Sequence, residues 1–225
     1  MARRGTGGWT TLALIAGVLS APLLVFVAVF GLRFGWWGLE VALDLLSITV
    51  VPWLLGLGAI CALILLWRAR RTGAVGWLLG LAAVAMMAMG SWLYLASPGV
   101  RGDNSSPLDV ATDTLEPPGF SPSLRRYHGT VDVEACEGVV SIPTQVRAED
   151  ASEALRRAGF TPLPSALFQV EGTHEGMWFL LRHDATIRIR PGQTDIRVAA
   201  RNTRPNGGET CRLLQRVVAE LQPRR

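Results

Sequence analysis

The chain contains no lysine: all 22 of the basic side chains among its 225 residues are arginine. A GC-rich codon bias explains that more simply than selection for guanidinium chemistry does. Histidine spacing of the HExxH kind is missing, so the sequence offers no hydrolytic metal site. Neither a Ser/His/Asp nor a Cys/His arrangement leaves a local signature. The three histidines, His128, His174 and His183, each have an acid nearby (Asp132, Glu175, Asp184) and read as solvated turn residues. No metal and no cofactor is expected. Net charge is missing from the second half, where residues 98–225 hold sixteen arginines and sixteen acids. That removes the basic surface a nucleic-acid partner requires. The pI of 9.6 comes from residues 1–97, which hold six arginines against two acids.

Charge is also absent inside three long apolar runs, Leu12–Leu32, Leu45–Trp67 and Val75–Leu95, of 21, 23 and 21 residues. At about 1.5 Å per residue each is long enough to cross roughly 30 Å of hydrocarbon. Arg3 and Arg4 precede the first run, and Arg68, Arg70 and Arg71 fill the loop between the second and third. Basic residues flanking short loops stay cytoplasmic, so the N-terminus is expected inside and Ser97 onward outside. Trp9, Trp36, Trp37, Trp67, Trp77 and Trp92 sit near the run ends, where indole rings favour the headgroup level. The first run outlasts a signal-peptide core and is read as an uncleaved span. Gly76 and Gly80 have the small-xxx-small spacing of close helix packing, expected within the chain rather than between two copies. Glu40 and Asp44 share a helix face beside Arg33, in the segment joining the first two runs.

Residues 98–123 hold five prolines, Pro98, Pro107, Pro117, Pro118 and Pro122, and read as an extended linker. Residues 124–225 read as an α+β domain. Val131 and Val133 alternate as in a short strand. Ala151, Ala154, Leu155 and Ala158 mark an amphipathic helix that Gly159 stops. Four strands are expected at Leu167–Thr173, Met177–Arg182, Thr186–Arg190 and Thr194–Ala200, with His183-Asp184 among the breaks. Phe168, Val170, Ile187, Ile189, Ile196, Val198 and Ala200 should face inward. A last helix, about Gly208–Leu221, places Cys211, Leu214, Val218 and Leu221 on one side. The expected fold is therefore a three-helix transmembrane region at 1–97, followed by a four-stranded antiparallel meander with two helices on one face.

Leu108 to Phe120, reading Leu-Asp-Val-Ala-Thr-Asp-Thr-Leu-Glu-Pro-Pro-Gly-Phe, resembles the opening signature of the domain of unknown function 1499 family. Ala158-Gly159-Phe160, Val170 to Thr173, Trp178-Phe179 through Asp184, and Ile187-Arg188-Ile189 extend the likeness to about Leu221. Tyr127 to Gly138 lacks that family's Gln-Arg-x-x-Tyr-Pro stretch. Asn202 to Gly208 only echoes its glycine-rich run before the last helix. The resemblance implies membrane spans or a lipid anchor ahead of the domain, and no activity.

Three sets of side chains are candidates for function. Cys136 and Cys211 both fall in the domain expected outside and suit a disulfide, the alternative being two buried thiols. Arg188, Arg190, Arg197 and Arg201 alternate with inward apolar residues, and arginine forks suit anionic groups. Asp109, Thr112 and Asp113 of the signature either bind a ligand or form turns that dock the linker. Ligand-binding candidates are thus Asp109, Thr112, Asp113, Arg188, Arg190 and Arg197. Together these features point to a multi-pass protein of the bacterial plasma membrane, its C-terminal domain periplasmic or extracytoplasmic. That domain is expected to bind an envelope protein or an anionic or lipidic ligand rather than to catalyse. The alternatives are a hydrolase built from the Asp and His residues, and spans that do the work through Arg33, Glu40 and Asp44.

Overall fold

The computed structural model describes residues 6–70, 73–96, 106–129, 132–164, 166–177, 179–204 and 206–222. Arg3, Arg4, Arg71, most of the expected linker before Ser106, Val131 and Trp178 lie outside them. The chain divides into two compact units, 1–100 and 101–225.

The first unit is three apolar helices, α1 (Thr6–Arg33), α2 (Glu40–Ala69) and α3 (Gly73–Ala96), each long and apolar enough to cross a membrane. Helix α2 starts earlier than its apolar run. Glu40 and Asp44 are helical rather than part of a connector, because the first eleven residues of α2, Glu40–Val50, are wound as π-helix. In that winding the Val51 N–H reaches Leu46 O, and Thr49 Oγ1 donates to Asp44 O at 2.8 Å. The next donor in the register would be residue 52, which is proline and has no N–H. Its intended acceptor, the carbonyl of buried Ser47, instead receives the Tyr94 hydroxyl of α3 at 2.6 Å.

Helix α2 packs against both neighbours. Val18, Cys61, Ala62, Leu65, Ala83 and Met87 form the buried cluster. Gly80 belongs to the α2–α3 contact: a Cβ there would stand 2.9 Å from Leu66 Cα. Gly80 of the small-residue pair therefore serves packing within the chain.

The second unit is an antiparallel sheet of five strands, not four, in the order β1-β5-β4-β3-β2. The strands are β1 (Asp109–Ala111), β2 (Thr161–Pro162), β3 (Gln169–Glu175), β4 (Arg182–Arg190) and β5 (Gln193–Ala200). Strand β1 comes from the signature segment, which is an integral edge of the sheet and not a linker. Met177 and Phe179–Leu181 lie in the β3–β4 connection rather than in a strand. His183 and Asp184, expected as a break, pair with Ala200 and Ala199 inside β4.

Helices α5 (Ala148–Arg157) and α6 (Glu209–Leu221) cover one face, with Leu155, Val170, Ile187, Ile196, Leu214 and Val217 fully buried between. Gly159 adopts φ +91°, the left-handed stop after α5. Phe168 departs from the expected inward set and is exposed, because the chain turns between Ala166 and Gln169 before β3 begins. Ala200 is only half-buried. A Cys136–Cys211 disulfide ties the first turn of α6 to the 132–142 loop, and Cys61 is free and buried.

Gly80→Leu should force its side chain against the Leu66 backbone and destabilise the detergent-purified protein by about 1–3 kcal/mol. Thermal unfolding followed by circular dichroism reads this, and an unchanged midpoint would remove the contact's importance. Reducing the disulfide, which closes a sequence separation of 75, should cost the second unit about 4 kcal/mol. Coincident denaturant midpoints with and without reductant would contradict that value.

Candidate functional site

Alternation along β4 and β5 sends Ala185, Ile187, Ile189, Ile196 and Val198 toward the helices, and sends charge to the other face. That second face carries Asp184, Arg188 and Arg190 from β4, Asp195 and Arg197 from β5, and Glu171 from β3. It is not open to solvent. Residues 112–128, including the short helix α4 (Pro122–Arg125), fold back across it. Asp109, Glu171, Asp184 and Asp195 are consequently buried, the last two completely.

Each buried carboxylate meets its own donors. Arg197 grips Asp109 bidentately, at 2.8 and 2.6 Å, and donates to Pro118 O at 3.2 Å. Its guanidinium lies 5.0 Å from the centre of the Phe120 ring. Arg201 grips Asp184 the same way, at 2.8 and 2.9 Å, and stacks 4.1 Å from the Tyr127 ring centre. Asp184 also contacts His128 Nε2 at 2.8 Å and receives Thr173 Oγ1 at 2.7 Å. Glu171 accepts the Ser121 N–H at 2.7 Å and the Ser121 hydroxyl at 2.6 Å. Asp195 is met by Ser141 Oγ at 2.8 Å, Gln193 Nε2 at 2.6 Å, Arg188 at 3.1 Å and Arg190 at 2.6 Å.

The two arginines at Asp195 also reach the turn after β1. Arg190 pairs with Asp113 at 3.2 Å and Glu116 at 2.8 Å, and Arg188 donates to Glu116 O at 2.6 Å. Asp113 Oδ1 accepts the Leu115 and Glu116 N–H groups, which makes the turn tight. Thr112 Oγ1 accepts the Ile196 N–H at 3.0 Å. The six ligand-binding candidates thus lie on one face in two groups, Asp109 with Arg197, and Asp113 with Arg188 and Arg190. Thr112 secures the edge between β1 and β5. Asp109, Thr112 and Asp113, the three candidates from the signature segment, are each engaged within the domain.

Glu171 and Asp195 were expected to balance the arginines; Asp184, the partner of Arg201, was missed. Its signal was present: Asp184, Thr186, Arg188 and Arg190 are two apart, a polar stripe that reading His183-Asp184 as a break cut short. His128 belongs to this face, whereas His174 and His183 lie on the helix-covered one, so the three do not converge. Among the described residues no group of three metal-ligating side chains comes together. The Ser121 and Ser141 hydroxyls face Glu171 and Asp195, and the Thr173 hydroxyl faces Asp184.

Beyond the covered face lies an open cleft of about 570 Å³ at the β4–β5 turn end of the sheet. Thr112, Asp113, Ser141 and Gln193 form its polar floor, and Leu115 and Val140 its lips. Those two apolar side chains are 98% and 70% exposed.

Two titrations frame the domain's acid behaviour. Burial, and after it the neighbouring His174, lower the His183 pKa from 6.5 to about 4, and neither ring nitrogen has a hydrogen-bond partner among the described residues. Burial alone would raise the Asp184 carboxyl, but bonds from His128, Arg201 and Thr173 hold it at about 2.

No family model, no curated protein and no solved structure matches the chain.

A histidine whose folded pKa lies below its unfolded one binds protons preferentially when unfolded. Its contribution is whole above pH 6.5 and drains away as pH falls to about 4, a loss of roughly 3 kcal/mol. Asp184 contributes above pH 3.8, and that contribution is lost between 3.8 and about 2. His183→Leu should flatten the stability profile between pH 6.5 and 4 while leaving the lower step. Denaturant titrations across pH test this, and a slope unchanged by the substitution would assign the upper step to another group.

Proposed function

We propose that this chain is a membrane-anchored binding protein of the bacterial envelope. Its N-terminus is cytoplasmic, and its α+β unit, on the extracytoplasmic side, docks a protein partner. Arginines before the first span and between the second and third support the orientation. The Cys136–Cys211 bridge supports an oxidising compartment for the second unit. Membership of the domain of unknown function 1499 family, proposed on the Leu108–Phe120 signature, fits the same arrangement of spans and outer domain.

The observation that carries the reading is the contrast between a closed polar face and an open apolar-lipped cleft. An anionic ligand held by arginine forks needs donors without acceptors. Arg197 and Arg201 are each committed bidentately to a buried carboxylate, and Arg188 and Arg190 share three acids. The cleft instead offers two large exposed side chains over a floor of hydroxyl, amide and carboxylate groups. That combination suits a polypeptide surface, recognised by apolar anchors and a few directed hydrogen bonds.

A photo-crosslinking residue at Leu115 should trap one discrete protein in intact cells, and Val140→Asp in the same chain should abolish the adduct. Crosslinks to lipid alone, or an adduct indifferent to Val140→Asp, would defeat the reading. A membrane-impermeant maleimide should label Leu115→Cys in intact spheroplasts, and labelling only after lysis would reverse the orientation.

A further inference from the structure

The β3–β4 turn reads Gly176-Met-Trp-Phe-Leu-Leu181, five consecutive apolar residues at a hairpin tip. Of these, Trp178 lies outside the described residues. Gly176 N–H donates to Leu181 O at 2.9 Å and closes the turn. Met177 is 76% exposed, and Phe179, Leu180 and Leu181 are half-buried. Leu180 holds φ +52°, a left-handed backbone that strains a leucine and that glycine or asparagine adopts freely. Turn chemistry and solubility would both be served better by polar residues at such a tip. An apolar tip kept against both preferences needs an apolar environment to meet.

Sheet register says where on the domain that tip lies. The Leu108 carbonyl, just ahead of β1, accepts the Ala200 N–H, and Ala200 pairs with His183 one residue into β4. The Arg182 carbonyl accepts the Arg201 N–H. The chain arriving from the helical unit therefore enters the sheet at the same end as the tip. The cleft with Leu115 and Val140 stands at the other end, roughly 27 Å away along β4 at the usual rise per residue. Laterally, β1 and the β3–β4 pair are two to three strands apart, on the order of 12 Å. Tyr127, 42% exposed with its ring under Arg201, and exposed Arg126 belong to this end too. Aliphatic and aromatic side chains beside a phenol and an arginine match the headgroup boundary of a bilayer, where amphipathic rings and guanidiniums both settle.

We propose that the β3–β4 tip, through Met177 and Phe179–Leu181, inserts shallowly into a lipid bilayer. The occupant is lipid. The inference rests on the reading of the helices as membrane spans and is independent of any docked protein.

The test uses the full chain with Cys61→Ala, reconstituted in nanodiscs without other proteins, so that partner docking plays no part. An environment-sensitive fluorophore is placed at Met177→Cys in one sample and at Leu167→Cys in another. Leu167 is 78% exposed and lies at the far end of β3. The probe at position 177 should emit at shorter wavelength and lose at least half its intensity to nitroxide-bearing acyl chains, while the probe at 167 responds only to aqueous iodide. Equal iodide access at both positions would overturn the proposal. So would iodide shielding at 177 without nitroxide quenching, since that marks a protein contact instead of lipid.

Discussion

Four carboxylates, those of Asp109, Glu171, Asp184 and Asp195, are withdrawn from water on one face of the sheet, and the fold of the second unit is organised around meeting them. A buried charge without a partner costs several kcal/mol, so each must be reached by donors of fixed geometry. The donors arrive from far along the chain: Arg197 is 88 residues from Asp109, His128 is 56 from Asp184, and Ser121 is 50 from Glu171. Such pairs add little net stability over a well-packed apolar layer, yet breaking one half of a pair typically costs about 3–5 kcal/mol. Their effect is on placement. Segment 112–128 supplies donors to two of the four acids, Ser121 to Glu171 and His128 to Asp184, and a slip along the sheet would take both away at once.

The helices of the first unit, long and apolar enough to cross a membrane, obey the same rule. Hydrocarbon supplies no donor to a stray carbonyl, so every main-chain group must be met by protein. The π-wound start of α2 and Pro52 together deprive Ser47 O of the main-chain donor expected in that register. Tyr94 supplies the replacement from α3. The hydroxyl of Ser47 turns to Ala42 O, so that side chain brings no unpaired group of its own into the helix core. A break in one helix has thereby become a polar link to another, while Gly80 lets the same two helices approach at the Leu66 backbone.

How much of this was legible depended on period and on range. The three helices showed in unbroken apolar runs, and α5 and α6 in their 3.6-residue stripes, because those signals are local. The disulfide was legible because only two cysteines fall outside the apolar runs. Strand β1 was hidden because three residues flanked by prolines carry no period of their own, and Asp109–Ala111 is a strand only because β5 is there to pair with it. The His183-Asp184 pair looked like a turn by composition, but one side chain enters the helix-covered core and the other meets Arg201. The arginine stripe was legible as one face of the sheet, but its pairing with Asp109 and Asp184 of the same domain was not. Nothing local to β4 or β5 announces that a distant segment will cover them.

Covering that face changes what the exposed residues mean. The segment leaves β1 at the far end of the sheet, turns at Asp113–Glu116, and returns across the face to His128 near the end where it entered. The turn is held by Asp113 Oδ1, which takes the Leu115 and Glu116 N–H groups, and by Glu116, which takes Arg190. These bonds use Asp113 and the main chain, and Leu115 contributes only its N–H. Any residue except proline would serve the turn there, and a polar one would serve it without displaying an apolar side chain to water. Leucine at 98% exposure is therefore unexplained by the fold that positions it, unlike the arginines, whose partners are all internal. A residue the fold positions but does not need is where a surface function is sought, which is why Leu115 rather than Arg188 or Arg197 anchors the functional reading.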